Sequence, residues 1–242
     1  MYINRTRNIM SLLKRIFSDT LHLFYPHLCQ GCGSDLLQKD HLLCLKCIYE
    51  LPHTSYEKFP GNPIEKYFWG RLDITAAHSE FYFTKDSLIQ HLVHQLKYKG
   101  NTGIGRFLGE LMGENLLLSG RFSDINAIIP LPLYPDKEHH RGYNQAAVIG
   151  EGLSTIMNIP LDTTAVIRQR ATETQTRKHR TERWLNVNKS FLVNDSGRLD
   201  GKHLLLVDDV ITTGATLEAC GRALIQQGNV KLSIATLAHA PK

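Results

Sequence analysis

The chain has 242 residues, 42% of them hydrophobic, and 28 Lys and Arg against 23 Asp and Glu give a net charge of +5. That length suits one full domain with a small appendage, and the mild charge excludes a histone-like polycation while permitting a nucleic-acid partner. No apolar run is long enough to span a bilayer, and five cysteines, four of them clustered, do not make a disulfide framework; the chain reads as cytoplasmic.

The first segment, 1–26, carries basic residues and an apolar stretch. Lys14 and Arg15 interrupt that stretch, and no small-residue cleavage site follows before Cys29, so it does not read as a signal peptide. An amphipathic helix is expected over roughly Ile9–Phe24, with Leu12, Leu13, Ile16, Phe17 and Leu21 on its apolar side. That side either packs on the body of the protein or docks on a membrane surface or partner.

The second segment, 27–52, holds Cys29-x2-Cys32 and Cys44-x2-Cys47, separated by eleven residues. Two such knuckles place four thiolates tetrahedrally about one Zn²⁺. A redox dithiol pair and unliganded thiols are the alternatives. Leu36, Leu37, Leu42 and Leu43 are the only core between the pairs, too little for independent folding. A structural zinc, contributing about 10–16 kcal/mol in small zinc peptides, makes up the deficit. Four thiolates leave no open position, so His27 and His41 are not expected to ligate and the zinc is structural.

Residues 53–84 read as linker and short strands. Pro52–Trp69, with Pro60, Gly61 and Pro63, has no clear period and is a linker or a wrapped arm. Ile74–Phe83 forms one or two strands. The main domain, 85–242, begins with helical spacing over Asp86–Leu118, broken at Gly100 and Gly103. Ile125–Leu133 is a strand leading into a loop, and Asn144–Met157 a helix that Asn144 caps. Val187–Val193 is a short strand, His203–Val207 a buried one, and Leu232–Leu237 the last. Cys220, in the helix after His203–Val207, reads as a small buried apolar residue. Strands alternating with helices predict an α/β fold, a largely parallel sheet with helices on both faces.

The stretch HLLLVDDVITTGATL, His203–Leu217, carries the most chemistry. Leu204–Val207 is a continuous apolar run, as in a strand covered on both faces. Asp208 and Asp209 stand at its end. Thr212, Thr213, Gly214, Ala215 and Thr216 then offer hydroxyls and backbone N–H groups at the start of a helix that Gly228 stops. A helix N-terminus favours a phosphate. Two carboxylates repel a phosphate but accept from the vicinal hydroxyls of a ribose. The layout points to a sugar phosphate.

Two further segments bear on the site. In IPLPLYPDKEHHRGYNQ, a strand ends in a loop with Arg141 and Gly142 at a helix entrance, a cation and a close-approaching backbone suited to a pyrophosphate leaving group. Between Arg168 and Lys189, seven Lys or Arg stand against two Glu, with no period that would bury a face. This stretch reads as a solvated surface, a lid or a nucleic-acid contact, with Arg168, Arg170, Gln175, Arg177, Lys178, Arg180 and Arg183 as its contacts.

The run of apolar strand, acidic pair and T-T-G-x-T closely resembles the phosphoribosyl-pyrophosphate (PRPP) motif of type I phosphoribosyltransferases. Together with the four cysteines, Leu96-Lys97-Tyr98-Lys99-Gly100, the stretch PLPL followed by RGYNQA, and the arginine- and glutamine-rich bridge, it resembles the ComF family of competence-associated proteins from Cys29 onward. The resemblance implies a type I phosphoribosyltransferase fold with a small N-terminal zinc ribbon. It implies that Asp208 and Asp209 hold the ribose hydroxyls and Thr212–Thr216 wraps the 5-phosphate, while Arg141 and Mg²⁺ meet the pyrophosphate. The expected activity is phosphoribosyl (glycosyl) transfer to an acceptor the sequence does not name, in association with natural transformation and other DNA-uptake proteins. The alternative is a non-catalytic adaptor associated with single-stranded DNA that retains PRPP binding as a sensor or relic.

Overall fold

A computed structural model describes residues 26–35, 41–169 and 190–241. The expected helix over Ile9–Phe24 and the apolar residues Leu36 and Leu37 lie outside them. The chain forms two compact units, divided between Glu50 and Leu51. No helix among the described residues is long and apolar enough to cross a membrane.

In the first unit, Leu28 bridges Asp35 in antiparallel fashion, and Gly33, at φ 72°, makes the tight reversal between them. The amide of Gly33 donates to the Cys29 carbonyl at 2.9 Å, and the amide of Cys29 to Ser34 at 2.8 Å. Helix α1, Leu45–Tyr49, follows Cys44 and carries Cys47 on its buried side.

The second unit opens with the arm that the sequence left between linker and wrapped segment, and the arm is wrapped. Asn62 caps the short helix α2, Pro63–Lys66, accepting from Ile64 and Glu65. Its side-chain amide donates to the carbonyl of Ala77 at 2.8 Å, on strand β1, Ala76–Tyr82. A buried polar cluster makes a second attachment. Glu80 of β1 lies 2.6 Å from His53 Nδ1 and 2.8 Å from His78 Nε2, and Glu57 of the arm stands 3.5 Å from His78 Nδ1. Burial opposes the Glu80 charge, but its contacts with His53 and His78 outweigh that and hold the carboxyl down at about 2.

Helices α3, Leu88–Tyr98, and α4, Thr102–Ser119, follow. Gly100, at φ 69°, separates them, whereas Gly103 is inside α4. The remaining elements are β2, Ala127–Pro130; α5, Pro135–Arg141; α6, Gln145–Met157; β3, Val166–Arg168; β4, Phe191–Val193; β5, His203–Ile211; α7, Ala215–Gln227; and β6, Lys231–His239. The main sheet has the order β1-β6-β5-β2, every pair parallel, and β3 with β4 forms a separate antiparallel ribbon.

Alternation along the strands covers the sheet on both faces. Ala127, Ile129, Leu204, Leu206, Leu232 and Ile234 share one core with Leu217, Cys220 and Leu224 of α7, so Cys220 is the small buried residue expected. Ile128, of the opposite parity, faces Gly150 of α6. This is the parallel sheet flanked by helices expected from the sequence.

Candidate functional site

The acidic pair lies within β5, because the strand runs on past Val207 to Ile211. The reason is β6, which extends to His239 and pairs with Asp208 through Thr236, with Val210 through Ala238 and with Ile211 directly. Asp209 is buried, 5% exposed, and Asp208 half-buried. Asp208 Oδ1 accepts from the amide of Asp209 at 2.8 Å, and Asp209 Oδ1 from the amide of Val210 at 2.6 Å. Burial and the adjacent Asp209 carboxylate push Asp208 up to about 8, against the pull of the Asp209 amide, Lys97 and Arg168.

Lys97 pairs directly with this centre. Its Nζ stands 2.9 Å from Asp209 Oδ2. It comes from the last turn of α3 and belongs to the LKYKG stretch, to which sequence reading gave no chemical role. The signal available was a lysine in the last turn of an amphipathic helix, part of a stretch that marked the resemblance without pointing to a chemical role.

After Ile211 the chain enters the small-residue loop. Thr212, Thr213 and Ala215 are exposed, Thr216 is half-buried, and Gly214 is buried at φ 71°, where it precedes α7. The positive φ favours glycine there, and a Cβ on Gly214 would stand close to the Phe68 ring, at 3.3 Å. Arg71, also unsuspected from the sequence, donates to the Thr213 carbonyl at 3.4 Å and pairs with Glu218 in the first turn of α7. Arg222 holds the other oxygen of Glu218 at 2.7 Å. The loop is thus tied to the helix it opens.

The sequence places Arg141 and Gly142 at a helix entrance after a loop; they lie instead at the end of a helix. The structure puts helix α5 there, begun by Pro135 in its first turn and closed by Gly142 at φ 84°, whose amide donates to Glu138 at 2.7 Å. Arg141 is its last residue. The guanidinium donates to the Gln145 side chain and lies 5.8 Å from the Tyr98 ring centre. Asn144 caps α6 as expected, accepting from Ala146 at 2.9 Å. A cavity of about 560 Å³ is lined by Lys97, Tyr98, Lys137, His140, Arg141 and Tyr143, so Lys97 connects the acidic pair to the Arg141 side.

Of the basic segment, Arg168 ends β3 with its guanidinium 3.9 Å over the Tyr134 ring. Arg170, Gln175, Arg177, Lys178, Arg180 and Arg183 lie outside the described residues.

In the first unit the sulfurs of Cys29, Cys32, Cys44 and Cys47 all lie within 4.8 Å of one another, and those of Cys32 and Cys44 are 3.7 Å apart. A tetrahedral zinc with bonds of about 2.3 Å requires sulfurs about 3.8 Å apart, so the four residues fit the ion. The Ser34 hydroxyl pulls the Cys32 thiol down to about 6, while burial and the neighbouring sulfurs push Cys47 up. Four thiolates at this spacing need a cation among them. His27 is instead 2.9 Å from the carbonyl of His41.

Residues 144–242 match the family described as phosphoribosyl transferase domain. Competence protein F of Haemophilus influenzae is 29% identical over 225 residues, covering 91% of this chain and 93% of that one. DNA utilization protein YhgH of Escherichia coli is 27% identical, covering 86% and 82%, and competence protein ComFC of Bacillus subtilis 27% identical, covering 84% and 73%. Among solved structures, glutamine PRPP amidotransferase from B. subtilis is 17% identical with a TM-score of 0.40, over 58% of this chain and 30% of that longer one. The acidic pair and small-residue loop on a parallel sheet and the four-cysteine cluster agree with these comparisons: this protein is similar over most of its length to ComF-type competence proteins, and its residues 144–242 match the phosphoribosyl transferase domain.

Proposed function

We propose that the second unit binds PRPP with Mg²⁺ and transfers its phosphoribosyl group. In this reading Asp208 and Asp209 accept from the ribose 2- and 3-hydroxyls, and Thr212, Thr213, Gly214, Ala215 and Thr216 enclose the 5-phosphate at the start of α7. Arg141 and Gly142 face the pyrophosphate. When bound, Mg²⁺ would supply charge neutralisation at the pyrophosphate. Displacement at the anomeric carbon breaks its bond to the pyrophosphate oxygen, and an acceptor's electron pair forms the new one. In their ionised form Asp208 and Asp209 stabilise the positive charge that develops on the ribose, and removing one preorganised partner of this kind costs roughly 10²–10³ in rate.

The observation that supports this most is the single continuous unit of β5, acidic pair, small-residue loop and α7, with Arg71 and Glu218 bracing the loop and no bulky side chain within it. The competence and DNA utilization names of the relatives favour a role in DNA uptake. The same names favour the second reading, a non-catalytic adaptor that contacts single-stranded DNA through the basic segment after Arg168 and retains PRPP binding. The first unit holds a structural Zn²⁺ through Cys29, Cys32, Cys44 and Cys47. Calorimetric titration of the zinc-loaded chain with Mg·PRPP, set against the Asp208→Asn/Asp209→Asn variant, tests the sugar-phosphate site. Turnover of bound PRPP in the presence of candidate acceptors separates transferase from adaptor.

A further inference from the structure

We propose that Lys97 is a binding residue for the diphosphate of the sugar ligand, shared between the acidic pair and the cavity beside it. The inference rests on the sugar-phosphate reading above and extends it to a residue outside the acidic pair, the small-residue loop and Arg141.

Lys97 is held at a boundary. On one side its ammonium stands 2.9 Å from Asp209 Oδ2. On the other it lines the cavity of about 560 Å³ together with Lys137, His140 and Arg141, against a single acid, Asp136. An ammonium has three donors, so one can remain on Asp209 while the others meet an anion in the cavity. A ligand with hydroxyls at one end and several negative charges at the other fits both sides at once. Hydroxyls go to the carboxylates and the diphosphate to the cations, and Lys97 spans the join.

The placement of Lys97 is fixed from outside the pair. The Tyr143 hydroxyl donates to the carbonyl of Leu96, tying the last turn of α3 to the segment that follows α5. Tyr98, 68% exposed, presents its ring to Arg141 from the same turn. Both cations therefore lie beside the end of α3. A merely structural ion pair would need Asp209 and Lys97 alone; it would not need Lys97 to be 23% exposed and on the wall of a cationic cavity.

The test titrates the full zinc-loaded chain, as wild type, Lys97→Met and Lys97→Arg, with Mg·PRPP, with ribose 5-phosphate and with Mg·pyrophosphate. Lys97→Met is expected to weaken PRPP and pyrophosphate at least tenfold and ribose 5-phosphate less than about threefold, with Lys97→Arg close to wild type. Loss shared equally by PRPP and ribose 5-phosphate, or no loss, overturns the proposal. If Lys97→Met melts below the assay temperature, Lys97→Met/Asp209→Asn is compared with Asp209→Asn, which removes the uncompensated carboxylate. Should the wild type bind neither sugar phosphate, the reading of the site as a PRPP site falls; pyrophosphate binding that depends on Lys97 would still carry the diphosphate assignment, and its absence would overturn both.

Discussion

Gly109 of α4 and Gly152 of α6 meet backbone to backbone: a Cβ on Gly109 would lie 3.3 Å from Gly152 Cα and 2.3 Å from the Ile149 carbonyl oxygen. A Cβ on Gly152 would come within 2.1 Å of the Arg106 carbonyl oxygen. Two helices cross this closely only where neither carries a side chain, and backbone cannot yield as a side chain can. The contact sets α6, and with it Asn144 and the segment from Arg141. Gly152→Ala is expected to cost about 3 kcal/mol in urea unfolding. Gly150→Ala meets the flexible end of Leu161 at 2.6 Å and is expected to cost less, about 1 kcal/mol. Equal losses would show that the helices adjust.

The buried Glu80 cluster gives the fold an acid limit. Its folded value of about 2 lies below the ordinary 4.5, so its contribution is fully present above pH 4.5 and is lost as pH falls toward 2. Glu80→Gln leaves His53 without its carboxylate and His78 with Glu57 alone, and is expected to cost about 3–5 kcal/mol at pH 7. The loss should shrink as pH falls through that window, read by denaturant unfolding at stepped pH. A loss independent of pH would assign the effect to packing.

Asp208 behaves in the opposite sense. Its folded value of about 8 lies above the ordinary 3.8, so its contribution is complete below pH 3.8 and is lost as pH rises through 8. Asp208→Asn removes the group that must ionise beside Asp209. The variant is expected to melt above wild type at pH 9 and to lose that advantage at pH 5. Parallel melting curves across pH would contradict the shift. Because Asp208 also accepts from ribose hydroxyls in the proposed site, the stabilised variant should bind PRPP more weakly, a stability gained at the cost of function.

The cysteine cluster predicts one zinc per chain by elemental analysis. Cys29→Ser/Cys47→Ser should reduce that to background, since both buried ligands are lost. A strong chelator should release the ion and, with it, the order of the first unit, measured as faster proteolysis near Leu43. Full metal content in the double variant would contradict the assignment.

What the sequence disclosed follows from where its signals are local. The apolar run Leu204–Val207, the acidic pair, the Thr-Thr-Gly loop and the paired Cys-x2-Cys knuckles each lie within a few residues and were legible as such. Asn144 as a cap was legible for the same reason. The length of β5 was not, because its last four residues, Asp208–Ile211, are strand by virtue of pairing with Thr236–His239, which no local pattern announces. Helix α5 was hidden by prolines and histidines that resemble a loop, although Pro135 at its start and Gly142 at its end are ordinary helix boundaries. Lys97 and Arg71 could not be assigned at all. Each reaches a site residue more than a hundred positions away, and charge alone does not distinguish such a residue from surface.

The central claim is a working sugar-phosphate site at the acidic pair. The most direct measurement is the calorimetric titration of the zinc-loaded chain with Mg·PRPP, wild type beside Asp208→Asn/Asp209→Asn, with both proteins shown folded by thermal melting. The account predicts saturable one-site binding by the wild type and a loss of at least about tenfold, roughly 1.4 kcal/mol, in the variant. Binding of equal strength by both proteins, or none by the folded wild type, would contradict it.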